Sequence, residues 1–148
     1  MAIAVGARAP AVPGAASEGP RALVFYKVTC SVTRLAGPPL ARLGQAFPGA
    51  VTGVGQDPQD ELDRFAAEMR WGFPQIPDLA PYPFSNGYGI VSAPTVVVVD
   101  GAGEVVAVAE SWDREAMNAA AAELAALTGR EPVVLSEPQD GLPDFKPG

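Results

Sequence analysis

From Leu23 to Val28 the chain is apolar at every position but Lys27, and a helical pattern begins within three residues of its end. A strand with no polar alternation is buried on both faces, as in a sheet covered by helices above and below. The helix predicted next runs from about Ser31 to Ala46, with Val32, Leu35, Leu40, Leu43 and Phe47 at helical spacing. Gly37-Pro38-Pro39 should kink it, because proline removes an amide donor and crowds the preceding turn. Phe47-Pro48-Gly49 closes it. A second strand is expected over Ala50–Gly55, then a helix with Asp57 as N-cap, Pro58 at its first position and Leu62, Phe65, Ala66 and Met69 on its buried face.

Between Pro74 and Ser92 the chain is dense in proline, glycine and aromatic residues, with a short strand expected near Gln75–Leu79 and a short helix near Phe84–Tyr88. Thr95–Asp100 is a strong strand. Gly101-Ala-Gly103 turns the chain, and Glu104–Ala109 returns antiparallel to it. Asp113 should cap a last helix that runs through Leu127 and stops at Gly129. The order strand, helix, strand, helix, insert, strand, strand, helix predicts an α/β sheet covered on both faces. Residues 1–128 are expected to form one domain, and the proline- and acid-rich stretch 129–148 a loosely ordered tail.

Composition narrows the chemistry. A net charge of −7 disfavours a nucleic-acid partner and anionic lipid surfaces. The longest apolar runs are strand-length, so no membrane span is expected. Met1–Arg8 lacks a basic start followed by a long apolar stretch, which gives the expectation of a cytoplasmic protein. Histidine is absent and Cys30 is the single cysteine, so histidine-based zinc sites, His general bases and an internal disulfide are excluded. Asp57, Asp60, Glu61 and Asp63 gather where a helix start favours negative charge, and a metal site is unsupported. Gly53-Val-Gly55 lacks the third glycine of a phosphate loop. No cofactor is implied.

What remains is Cys30, at a strand-to-helix junction. A thiol at a helix N-terminus meets unpaired N–H groups and the positive end of the helix dipole, which favour thiolate, the nucleophilic form.

The junction residues, taken in order, resemble a known family. Gly6-Ala-Arg-Ala-Pro10 is similar to an opening Gly-x-x-Ala-Pro, and Phe25-Tyr-Lys-Val-Thr-Cys30-Ser-Val-Thr33 to a strand and active-site turn. Pro38, eight residues beyond Cys30, matches a helix-kinking proline, and Val91-Ser-Ala-Pro94-Thr95 before four valines matches a cis-proline loop and strand. The family is the thioredoxin-fold redoxins, the thioredoxin-like and alkyl hydroperoxide reductase/thiol-specific antioxidant group, and the resemblance covers residues 5–128. It implies a three-layer α/β/α fold with a mixed central sheet and a terminal β-hairpin. It also implies Cys30 as nucleophile, with Ala93, Pro94 and Thr29 presenting an extended substrate segment.

The chain departs from the family at two points. Thr33 stands where a resolving cysteine would release the mixed disulfide. Its hydroxyl is a candidate hydrogen-bond donor to Cys30, but it closes no disulfide. Val24 stands where many thioredoxins place a buried acid. The leading expectation is a monothiol protein performing thiol-disulfide exchange with a thiol- or disulfide-bearing protein or a low-molecular-weight thiol. Two other readings stand beside it: a redox-inactive peptide-binding domain, and a one-cysteine peroxidase, though the family's peroxidases carry Thr-x-x-Cys rather than Cys-x-x-Thr.

Overall fold

A computed structural model describes residues Met1–Gly148. The first strand, β1 (Arg21–Tyr26), leads through a short turn into α1 (Ser31–Leu35) and α2 (Gly37–Ala46). The expected single kinked helix is two helices. Ala36 ends the first and begins the second, and the prolines sit at the start of α2, where their missing amides would have had no partner anyway.

The chain continues through β2 (Val51–Gly55), α3 (Gln59–Met69) and β3 (Gln75–Pro77). Strands β1, β2 and β3 pair in parallel. Each step moves the same way across the sheet, and right-handed crossovers therefore put α1, α2 and α3 on one face. The irregular insert then holds α4 (Pro83–Gly87), followed by β4 (Thr95–Val99) and β5 (Val105–Glu110). These two pair antiparallel, as the glycine turn requires, and β4 lies antiparallel against β1. The five-stranded order is β3-β2-β1-β4-β5.

Side-chain alternation along β1 and β4 divides the interior in two. Val24, Tyr26, Val96 and Val98 join the larger cluster with Leu40, Phe47, Leu62 and Phe65. Leu23, Phe25, Val97 and Val99 point the other way, onto Val12 and Tyr88. The second face is covered by the N-terminal lead-in and the segment around α4. The result is a three-layer α/β/α fold with a mixed sheet ending in a hairpin.

After β6 (Trp112–Asp113), α5 (Arg114–Thr128) packs on the larger cluster through Met117, Ala120, Ala121 and Leu124. Its boundaries follow the sequence closely. The Asp113 carboxylate accepts from the Ala116 amide at 3.1 Å, and Gly129 takes the left-handed conformation (φ +67°) that ends the helix.

The stretch after Gly129 is not the loose tail expected. Leu135 is 1% exposed, and Arg42 donates to its carbonyl at 2.7 Å. Asn118 accepts from the Leu135 amide at 2.8 Å and donates to the Ser136 carbonyl at 2.9 Å. Arg114, itself 6% exposed, donates to Ser136 Oγ at 3.0 Å, to the Leu142 carbonyl at 2.7 Å and to Asp140 at 3.3 Å, and it pairs with Asp144. The chain then adds β7 (Phe145–Lys146), antiparallel to β6. No helix is long and apolar enough to cross a membrane.

Candidate functional site

Cys30 is the residue before α1, placed beyond the C-terminal end of the central strand by the turn that follows β1. Its amide donates to the Lys27 carbonyl at 3.1 Å, closing that turn. A second restraint comes from the loop that follows the neighbouring strand β2. The Asp57 carboxylate accepts from the Val28 amide at 2.9 Å. Asp57 was expected to cap α3, but Pro58 holds the cap position and no side chain caps that helix. The carboxylate is instead used to pin the loop that carries the cysteine.

The side chain of Cys30 does not cap α1. Its Sγ lies 3.4 Å from the Ala93 carbonyl oxygen and donates to it. The thiol is thus turned toward the loop before β4 rather than toward the amides of its own helix. The Ala93–Pro94 peptide bond is cis, and so is Ala80–Pro81. Thr95 Oγ1 donates to the Ser92 carbonyl at 2.9 Å and holds the same loop from its other side.

Cys30, half-buried, opens on a cleft of about 280 Å³ whose walls include Phe25, Tyr26, Ile90, Val91 and Ala93. This is smaller than the usual pocket for a drug-sized ligand and suits a side chain or a short run of extended backbone. Lys27 carries the single charged side chain among those lining it; Gln56, Ser85 and Ser92 add neutral polar groups. Ser85 is held by Asp78, a buried carboxylate that accepts from the Phe84 amide at 3.0 Å, the Ser85 amide at 2.7 Å and Ser85 Oγ at 2.6 Å. These donors compensate the buried charge and fix the start of α4.

Tyr26, at the cleft floor, donates to Gln75 Oε1 at 2.7 Å. Burial, and after it the negative charges of Asp57 and Asp63, push its phenol far above the ordinary range, so it is a neutral donor.

The other expected site residues fall in different places. Ala93 and Cys30 share the cleft, with Pro94 buried behind Ala93. Thr29 is exposed and does not line it. Thr33 is a correction: it is 0% exposed, and its hydroxyl has no hydrogen-bond partner, Cys30 included. The hydroxyl points into packing, not at the sulfur. Val24 is 0% exposed in the larger cluster, so no carboxylate lies in the sheet at that position.

Three contributors were not anticipated: Asp57 as the loop's anchor, Asp78 as the anchor of α4, and Gly148, which also lines the cleft. Asp57 and Asp78 each stand next to a proline or a strand end, positions where a capping role is the simpler expectation. No group of three or more Cys, Asp or Glu side chains is arranged to hold a metal ion.

The sequence matches no family model and no curated protein. Solved structures do match. A thioredoxin domain of a thiol-disulfide oxidoreductase from Bacteroides vulgatus superposes with a TM-score of 0.62 at 23% identity, over 74% of this chain and 90% of that one. A hypothetical protein from Sinorhizobium meliloti reaches 0.71 at 18% identity, over 90% and 89%. A peroxidoxin from Mycobacterium tuberculosis gives 0.57 at 25% identity, over 78% and 82%. With the strand order and crossovers above, these similarities establish a thioredoxin-like redoxin fold.

Proposed function

We propose that this chain is a monothiol redox protein that carries out thiol-disulfide exchange through Cys30. The observation that carries the reading is the position of its sulfur: half-buried at the mouth of an apolar cleft, beside the loop ending in Pro94, with its turn pinned by Asp57. A structural cysteine buried for packing alone would need neither the opening nor the pinned turn.

The cycle balances with one cysteine. The Cys30 thiolate attacks one sulfur of a mixed disulfide, a bond forms between the two sulfurs, and the other partner leaves as its thiolate. An external thiolate then attacks the sulfur bound to Cys30, carries that group away as a new disulfide and returns Cys30 as thiolate. No electrons are gained or lost overall; the disulfide moves from one thiol to another. Lys27, the one cation lining the cleft, offsets the negative charge that passes between sulfurs. The external thiols needed are those of a reducing cytoplasmic setting. The partner is a thiol- or disulfide-bearing protein or a low-molecular-weight thiol, and the fold neighbour from Bacteroides vulgatus is a thiol-disulfide oxidoreductase domain.

Mass spectrometry after incubation with an S-thiolated peptide tests this. The expected product is an adduct on Cys30 that an added thiol removes, with Cys30→Ser inactive. No adduct, or equal turnover by Cys30→Ser, overturns the proposal.

One observation favours a second reading, a redox-inactive binding domain. The Cys30 thiol is engaged with the Ala93 carbonyl, and Thr33 contributes no hydrogen bond to it. Under that reading the cleft holds a peptide and Cys30 alkylates no faster than free cysteine.

A further inference from the structure

The last residues of the chain lie against the site. The Gly148 amide donates to Ser111 Oγ at 3.1 Å, just past the end of β5. A Cβ placed on Gly148 would fall 1.8 Å from the Ala93 carbonyl oxygen and 2.8 Å from its carbon. The backbone at 148 is therefore packed directly on the carbonyl group to which the Cys30 sulfur donates. Only a residue without a side chain fits there.

We infer that residues 145–148 form an intrasteric strap, covering the Ala93 edge beside Cys30 and lifting before an extended disulfide-bearing segment can reach the sulfur. The inference rests on the exchange reading above for its consequence, but not for its geometry. An incoming backbone that pairs along this edge needs the space beside Ala93 that the strap occupies.

The strap is built to lift, whereas the chain before it is built to stay. Leu135 and Ser136 are buried, and Arg114 and Asn118 hold Ser136 through side chain and backbone. Pro143 is tied by its carbonyl to Trp112 Nε1 at 2.6 Å. Beyond it the attachment thins. The ladder between β7 and β6 has two residue pairs, Trp112 with Lys146 and Asp113 with Phe145. Both β7 residues are exposed, Phe145 by 55%. Short ladders with little buried apolar surface are the parts of a protein that open first. Asp144 is the last anchored residue, its carbonyl accepting from the Arg114 amide at 3.0 Å and its carboxylate pairing with the Arg114 guanidinium, so the hinge falls just after it.

Because Cys30 is the only thiol, reaction with a dithiobis-nitrobenzoate reports on this site alone. The thiolate attacks the aromatic disulfide, forms a mixed disulfide on Cys30 and releases one coloured arylthiolate. The probe is compared on the full chain and on Gly148→Val, whose added carbons cannot share space with Ala93. The expected result is a rate about three- to tenfold higher, the population shift that loss of one hydrogen bond of ordinary strength permits. Ser111→Ala, which removes the acceptor for the Gly148 amide, is the second variant and decides the matter if Gly148→Val does not fold. No acceleration in a folded variant overturns the strap. Faster labelling without exchange on an S-thiolated peptide upholds the strap and removes the redox reading instead.

Discussion

The Cys30 sulfur and the Ala93 carbonyl oxygen are 3.4 Å apart, and the contact joins two segments that are 63 residues distant in sequence. In this contact the sulfur is the donor and the carbonyl oxygen the acceptor. Ionisation removes the bond, and a thiolate beside a carbonyl oxygen gains nothing from it. Attack by the thiolate therefore gives up this contact.

The buried Thr33 hydroxyl is the one buried side-chain oxygen or nitrogen without a partner. Such a group forfeits its hydration and receives nothing in return. Thr33→Val keeps the shape and removes the oxygen, and it should stabilise the protein by about 1 kcal/mol in urea unfolding. Loss of stability would mean that the hydroxyl has a partner after all. The rate of Cys30 labelling should not change, because the hydroxyl does not touch the sulfur.

Asp57→Ala removes the acceptor for the Val28 amide. The half-buried, charge-assisted bond should be worth about 1–2 kcal/mol, below the range for fully buried ones. Hydrogen exchange at Val28 should quicken while the amides of β4 stay protected. The same substitution removes one of the two negative charges that hold the Tyr26 phenol up, so an ultraviolet titration should find it lower, yet still raised by burial. An unchanged Val28 exchange rate would disprove the anchoring role.

Leu135 lies outside the region that sequence pattern assigns to the domain, yet it is 1% exposed. Leu135→Ala should cost about 2–5 kcal/mol, the ordinary range for a buried leucine. A change near zero in the denaturation midpoint would show that the C-terminal stretch is not part of the core.

The Asp140 carboxyl is held below its usual value of 3.8, first by the Ser136 hydroxyl, then by the Leu142 amide and by Arg114. A depressed carboxyl stabilises the fold above the unfolded value, and that contribution disappears as pH falls through the folded one. Asp140→Asn should therefore lower the melting temperature at neutral pH. The gap from the parent should begin to narrow below about pH 4 and close at still lower pH. A gap that persists unchanged into strong acid would mean that the carboxylate's charge does not matter.

How far the sequence revealed this arrangement depends on the range of the interactions. The β1–turn–helix junction, the β4–β5 hairpin and the Asp113 and Gly129 boundaries of α5 are local, and local pattern marks them. The resemblance that rests on Gly6–Pro10, Phe25–Thr33, Pro38 and the Val91–Thr95 loop supplied the fold. The misreadings share one cause. Asp57 has the spacing of a helix cap, and only the pairing of β2 with β1, which brings the two loops side by side, reveals its real partner. Thr33 has the spacing of a site residue, but a helix rotates it into the core. The stretch 129–148 is rich in proline and acid, which composition reads as loose. Its order comes from Arg114, Asn118 and Arg42, residues whose partners lie up to 93 positions away.

Arg114 spends its guanidinium almost entirely on residues 136–144. Cleavage of the chain near Gly129, followed by loss of the released fragment, would strand a positive charge beneath the helix with no counterion. Such an orphaned cation is expensive. A protease that trimmed this appendage would therefore weaken the body it left behind, so the terminal stretch serves as a keystone for the whole protein.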